Sequence, residues 1–371
     1  MQDPDLASIH ATVVSATFAV CLILGALMQR SHFCTMGAIA DIVNMGDWTR
    51  MRMWLCAIGV AIAGTQLLGW AGLIDPGRSF YAAPAMPVLS HLLGGLMFGF
   101  GMVLASGCGS KTLLRIGGGS LKSLVVFIVM GLFAYMTMRG IFAVARVGIV
   151  DPVAVTFAHG QDLPRLFGGA DKATVAAWRL GLGLSLGAAL VLFALLDREF
   201  RRADTLVASV GIGAAVVAVW AISGVLGYLA EAPDTLEEKF IGTSSGRLES
   251  LSFVAPVAYT LELFMLWSDK SRVLTLGIAA VLGLVVGSFL HAMISRQFRW
   301  EGFQGTEDTA NHLAGAALMG VGGVTAVGCT VGQGLSGVST LALGSFVSLA
   351  AIMLGGWAAL RYQVWRVERM I

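Results

Sequence analysis

The chain alternates long apolar runs with short polar joints. Runs approaching the about 20 residues needed to cross a hydrocarbon core fall near residues 11–29, 53–74, 91–107, 120–144, 176–196, 206–230, 251–267, 273–294, 312–328 and 343–361. Each reads as a helix, because a helix satisfies every backbone N–H and C=O within one segment where the solvent offers no partners. Several runs are short, so the expectation is about nine transmembrane helices with interruptions. The longest polar stretches, 147–173 and 231–250, are too short to fold alone. The fold class predicted is an all-α integral membrane protein forming a single membrane domain. "MQDPDLASIH" at the start lacks the cationic region and small-residue cleavage site of a signal peptide, so the first helix is read as retained.

Composition sharpens this picture. Of 371 residues, 57% are hydrophobic and 12% charged, against about 25% charged in a soluble domain. A net charge of +2 with no basic cluster argues against nucleic acid as a partner and leaves the lipid bilayer as the surroundings. The 48 glycines fall mainly inside apolar runs, where they allow close helix approach or a backbone break. Cys21, Cys34, Cys56, Cys108 and Cys329 are odd in number and lack the spacing of a disulfide framework.

Two stretches repeat each other. "HLLGGLMFGFGMVLASGCGSKTLL" (His91 to Leu114) and "HLAGAALMGVGGVTAVGCTVGQGL" (His312 to Leu335) share a histidine, glycines and Gly-Cys in one register. After a short insertion, "GSLKSLVVFIVMG" (Gly119 to Gly131) matches "GSFVSLAAIMLGG" (Gly344 to Gly356). The reading is two halves, roughly 11–146 and 206–361, joined by a helix at 176–196. Interrupted segments in matching positions point to a transporter with its site between the halves. The basic loops Leu195 to Asp204 and Ser268 to Arg272 and the tail from Arg361 are placed in the cytoplasm by the positive-inside rule. Tracing from them makes the Cys329 segment re-entrant from outside and the Cys108 segment re-entrant from inside, which implies an inverted repeat.

Non-helical backbone at membrane depth survives only where it is buried in protein or lines a cavity. Gly107, Gly109 and Gly328 beside the two cysteines are expected to supply the freedom for such a tip. Cys34, in "QRSHFCTMGAIAD", is a third cysteine at a helix break, with Arg30 placed to help at an outer vestibule. Cys21 and Cys56 lie inside continuous runs and read as packing. His91 and His312 read as helix-start residues satisfied locally, and Arg139 and Arg146 as helix ends. Lys111 and Arg115 either draw an anion to the inner mouth or snorkel to the interface and orient the segment.

Three soft sulfurs on a pathway favour a soft partner: a sulfur or selenium species, or a thiophilic metal. A metal needs thiolates converging on one point, whereas an anion relay needs them spaced along the axis, each offering a weak S–H donor. Free amides in "GCTVGQGLSG" can also hold an anion. A scarcity of acidic residues near the cysteines favours the anion. A membrane-embedded sulfurtransferase or thiol redox enzyme stays open as an alternative. "RIGGGS" lacks the Gly-Lys-Ser/Thr ending of a P-loop, and no cofactor or resident metal is called for.

At "RSHFCTMGAIAD", "ASGCGSKTLLRIGGGS" and most specifically "GCTVGQGLSGVS", the chain resembles the YeeE/YedE family of membrane sulfur transporters. The resemblance implies a non-enzymatic role: uptake of thiosulfate or a related inorganic sulfur anion across the bacterial inner membrane. It carries the relay thiols to Cys34, Cys108 and Cys329, with Gly107, Gly109, Gly328, Thr330, Gln333 and Lys111 lining the path. It also implies an hourglass of helices with loops meeting at a central constriction, and a TusA-type cytoplasmic sulfurtransferase as partner.

Overall fold

The computed structural model describes residues 6–232 and 237–369; most of the acidic lead before the first helix therefore lies outside the described residues. The helices are α1 (Leu6–Arg30), α2 (Thr35–Met45), α3 (Thr49–Trp70), α4 (Val88–Leu104), α5 (Gly109–Gly117), α6 (Leu121–Arg139), α7 (Lys172–Leu195), α8 (Ala203–Ala221), α9 (Val254–Met265), α10 (Leu276–Ile294), α11 (Thr306–Thr325), α12 (330–339) and α13 (Leu343–Glu368). Two antiparallel ribbons, Ala85–Pro87 with Ala154–Thr156 and Tyr228–Leu229 with Lys239–Phe240, are the only sheet among the described residues. Eight helical segments there are long and apolar enough to cross a membrane. The protein is an all-α membrane protein. α11 is a further crossing that hydropathy undervalues, because Glu307 and Asp308 occupy its first turn, where carboxylates complement the helix dipole.

Contacts at the helix ends sort the chain onto two faces. α1 and α10 run side by side: Phe18 and Cys21 lie against Gly283, and Leu22 against Gly287. At their starting ends Gly242 touches Val13 and accepts the Leu276 N–H at 2.7 Å. This is the N-face. At their finishing ends Arg30 pairs with Asp204 at 2.6 Å, and Arg299 donates its N–H to Gly118 at 3.2 Å. This is the C-face, where Arg366 near the end of α13 also pairs with Glu307.

Two expectations change here. The loop holding Arg272 sits on the N-face, where Arg272 pairs with Glu262 at 3.0 Å, opposite the loop holding Asp204. Arg272 is engaged by both Glu262 and Asp269, so counting it as free positive charge misdirected the tracing. As a result, neither repeated cysteine segment is a hairpin entered and left by one face. α4 starts on the N-face, where Ser90 bonds Asp151, and α5 ends on the C-face at Gly118. α11 starts on the C-face, and the Leu341 carbonyl after α12 accepts from Leu163 on the N-face. The segments that dip in and return are α2, from the C-face, and the stretch before α9, from the N-face; the run at 251–267 yields only the 12-residue α9.

Packing follows from small residues. A Cβ on Gly99 of α4 would stand 2.1 Å from the Ile352 carbonyl oxygen of α13, and one on Gly94 would stand 2.3 Å from the Ala326 nitrogen. In lipid, where no hydrophobic drive separates helix from solvent, this backbone approach supplies the association energy. The pairs repeat in an ordered way: α1 on α10 and α8 on α3, α4 on α13 and α11 on α6, α2 on α13 and α9 on α6, α5 on α10 and α12 on α3. α7 packs on α3 outside this scheme.

Candidate functional site

Each of Cys34, Cys108 and Cys329 stands at the start of a short helix. Two residues earlier the chain turns through a left-handed residue: His32 at φ 52°, Ser106 at φ 55° and Val327 at φ 60°. Of the expected glycines only Gly328, at φ 157°, takes a backbone conformation that favours glycine. Gly107 follows Ser106 and donates its N–H to Met102 at 2.8 Å, closing α4, and Gly109 opens α5 beside Met130 and Phe253. A β-branched valine at positive φ is costly, and such cost concentrates at functional sites.

Two of the three thiols cap the helices they begin. Cys34 Sγ accepts the Gly37 N–H at 3.4 Å and Cys329 Sγ accepts the Gly332 N–H at 3.3 Å. The two share a local sequence, Cys-Thr-Met-Gly and Cys-Thr-Val-Gly, and the Thr35 and Thr330 hydroxyls are both buried without a hydrogen-bond partner. Cys108 caps nothing; its Sγ meets Ser110 Oγ at 3.3 Å. Gln333 Nε2 ties across the third break to the Ala326 carbonyl at 2.5 Å. All three thiols are buried, and all five cysteines are free.

The thiols interact electrostatically in series, Cys329 with Cys108 and Cys108 with Cys34. A cavity of about 220 Å³, lined by Glu249, Ser252, Tyr259, Val327 and Gly328, approaches Cys329. At the other end Lys111 is an electrostatic neighbour of Cys34, Cys108, Arg115 and Arg50, and it makes no ion pair with a carboxylate among the described residues. Arg115 lines a cavity of about 440 Å³ with Arg296 and Arg299 on the C-face. Arg30 is exposed and paired with Asp204 on the C-face.

The remaining residues fall into place around this axis. Cys21 packs α1 onto α10 against Gly283, and Cys56 is buried in α3. His312 bonds Asp308 within its own helix, whereas His91 reaches across to Ser348 of α13 at 2.7 Å. Arg139 ends α6, as read from sequence. Tyr81 and Ser252, which sequence reasoning passed over, stand beside the Cys329 turn; a Cβ on Gly332 would lie 2.7 Å from Ser252 Oγ and 3.2 Å from Tyr81 Oη.

Interrupted helices that meet at buried thiols, inside a bundle with a polar approach from each face, define a membrane transport protein. The chain belongs to the sulphur transport family, which it matches over residues 30–358. It is similar to the thiosulfate transporter TsuA of Escherichia coli (strain K12), 28% identical over 356 residues and covering 91% of each chain. It is also similar to the thiosulfate transporter TsuA of Spirochaeta thermophila, 25% identical over 343 residues and covering 90% of this chain and 94% of that one.

Proposed function

We propose that this protein takes up thiosulfate across the bacterial inner membrane, passing it from Cys329 to Cys108 to Cys34. The serial arrangement of the three buried thiols carries the reading. Each offers an S–H to an anion, and a soft terminal sulfur suits a soft partner. Gly107, Gly109, Gly328, Thr330 and Gln333 flank the thiols at the helix breaks, and Lys111 with Arg115 attracts the dianion to the cytoplasmic end. The C-face is that end, because Arg198, Arg201, Arg202, Arg296, Arg299 and the basic tail gather there. A TusA-type sulfurtransferase is the partner this reading calls for at the C-face.

The helix pairings support halves that exchange under a two-fold relation, α1 to α6 with α8 to α13, joined by α7. The test is thiosulfate uptake by proteoliposomes carrying wild type, Cys108→Ala or Cys56→Ala protein. Uptake by wild type and Cys56→Ala, lost in Cys108→Ala, is expected. Uptake undiminished in Cys108→Ala refutes the relay, and a stable sulfur adduct on a thiol during turnover turns the reading toward a sulfurtransferase.

A further inference from the structure

The Tyr81 hydroxyl is buried, with the Ser252 hydroxyl as its hydrogen-bonding neighbour. The residue is 3% exposed. Its ring packs edge-on against Trp220 at 6.4 Å and against Phe80. Two hydroxyls buried together have donor capacity that the single hydrogen bond between them does not use.

The oxygen has a definite direction. It stands over the first turn of α12, next to the Gly332 whose N–H donates to Cys329 Sγ, and it is an electrostatic neighbour of Cys329. Ser252 Oγ converges on the same glycine and also lines the 220 Å³ cavity that reaches Gly328. Glycine at 332 leaves the space the two hydroxyls occupy. The unpartnered Thr330 hydroxyl lies in the same turn. The corresponding turn at Cys34 differs, because there the space over Gly37 holds the Arg50 guanidinium.

We infer that Tyr81 and Ser252 form the oxyanion-reading half of a binding site at Cys329, donating O–H hydrogen bonds to the sulfonate oxygens while the thiol meets the terminal sulfur. This inference rests on the thiosulfate reading above. Neutral donors here, against cations at the Cys34 end, hold the dianion through hydrogen bonds that it can leave, so that it proceeds inward.

The experiment uses full-length protein with Tyr81→Phe and with Ser252→Ala. Initial uptake rates against thiosulfate concentration in proteoliposomes are read beside the thiosulfate-induced rise in melting temperature of purified protein. Loss of one hydrogen bond to a charged ligand raises KM about ten-fold or more, with the maximal rate changed much less. The thiosulfate-induced rise in melting temperature shrinks, while the ligand-free Tyr81→Phe protein melts within about 2 °C of wild type, as the loss of one neutral hydrogen bond implies. A merely structural hydroxyl leaves KM unchanged in both variants, and that result overturns the inference with the uptake reading intact. If Tyr81→Phe protein does not fold, Ser252→Ala decides by the same criterion. A wild type that neither transports nor binds thiosulfate overturns the substrate reading and this inference together.

Discussion

Replacing Cys329 separates the two roles its sulfur plays. The thiol caps α12 through the Gly332 N–H at 3.3 Å, and on the proposed path it is the first donor. Cys329→Ala removes both. The orphaned N–H is buried, and losing a helix cap or leaving such a donor unpaired costs about 1 kcal/mol, which lowers the melting temperature by about 2 °C in a chain of this size. Cys329→Ser restores the cap, because serine is among the strongest N-cap residues. It does not restore the relay: the C–O bond is shorter than C–S, and the hard oxygen is a poor match for a sulfane sulfur. Melting in detergent should therefore rank wild type and Ser together above Ala, while uptake ranks wild type far above both. Cys108 supplies the contrast, since it caps nothing, so that Cys108→Ala should cost uptake with little loss of stability. Thiosulfate uptake by Cys329→Ser at the wild-type rate would refute the argument, because the sulfur would then be a cap alone.

Gly99→Ala places a Cβ 2.1 Å from the Ile352 carbonyl and should destabilise the α4–α13 contact by about 2 kcal/mol, read as a lower melting temperature; Gly148→Ala, with nothing within 4 Å, serves as the unaffected control. Lys111→Gln should raise KM for thiosulfate several-fold and flatten its dependence on ionic strength, measured between low and physiological salt. On the N-face, burial pushes the Asp75 carboxyl up, but Arg179 and Arg165, at 2.6 and 2.9 Å, outweigh it and hold the carboxyl below the usual range. A depressed carboxylate pKa stabilises the fold above the unfolded value of about 4 and loses that stabilisation as pH falls through the folded value, so melting scans from pH 6 to pH 3 should steepen in wild type and flatten in Asp75→Asn, which also loses about 2 kcal/mol by stranding the buried Arg179.

Much of this architecture is legible in the residue pattern. The apolar runs locate the helices, and Gly-Cys in two matching contexts marks two of the breaks. What misleads is charge: Arg272 and Lys270 look like a cytoplasmic cluster until Glu262 is seen to neutralise Arg272. Turn chemistry misleads as well. Glycines adjoin the cysteines, and Gly328 is itself at positive φ, yet the left-handed turn position falls one residue earlier, on Ser106 and Val327. A readable signal was the shared Cys-Thr-x-Gly at Cys34 and Cys329, which announces the common cap. Tyr81 has no such signal, since its distance along the chain from Cys329 hides a contact made only by the fold.

The proposed two-fold exchange also explains why the path has three thiols and not four. It pairs α4–α5 with α11–α12, which carries Cys108 onto Cys329. It pairs α2 with α9, and the N-cap of α2 is Cys34 whereas the N-cap of α9 is Phe253. A fourth thiol would stand there in a symmetric protein. Phe253 instead puts its backbone N–H beside Cys329 and its Cβ beside Gly109, so it fills the gap between Cys329 and Cys108 without a further soft donor. Directional passage needs ends that differ, and the difference is concentrated in this substitution: hydroxyls and a backbone amide around Cys329, a second thiol with Lys111 and Arg50 around Cys34.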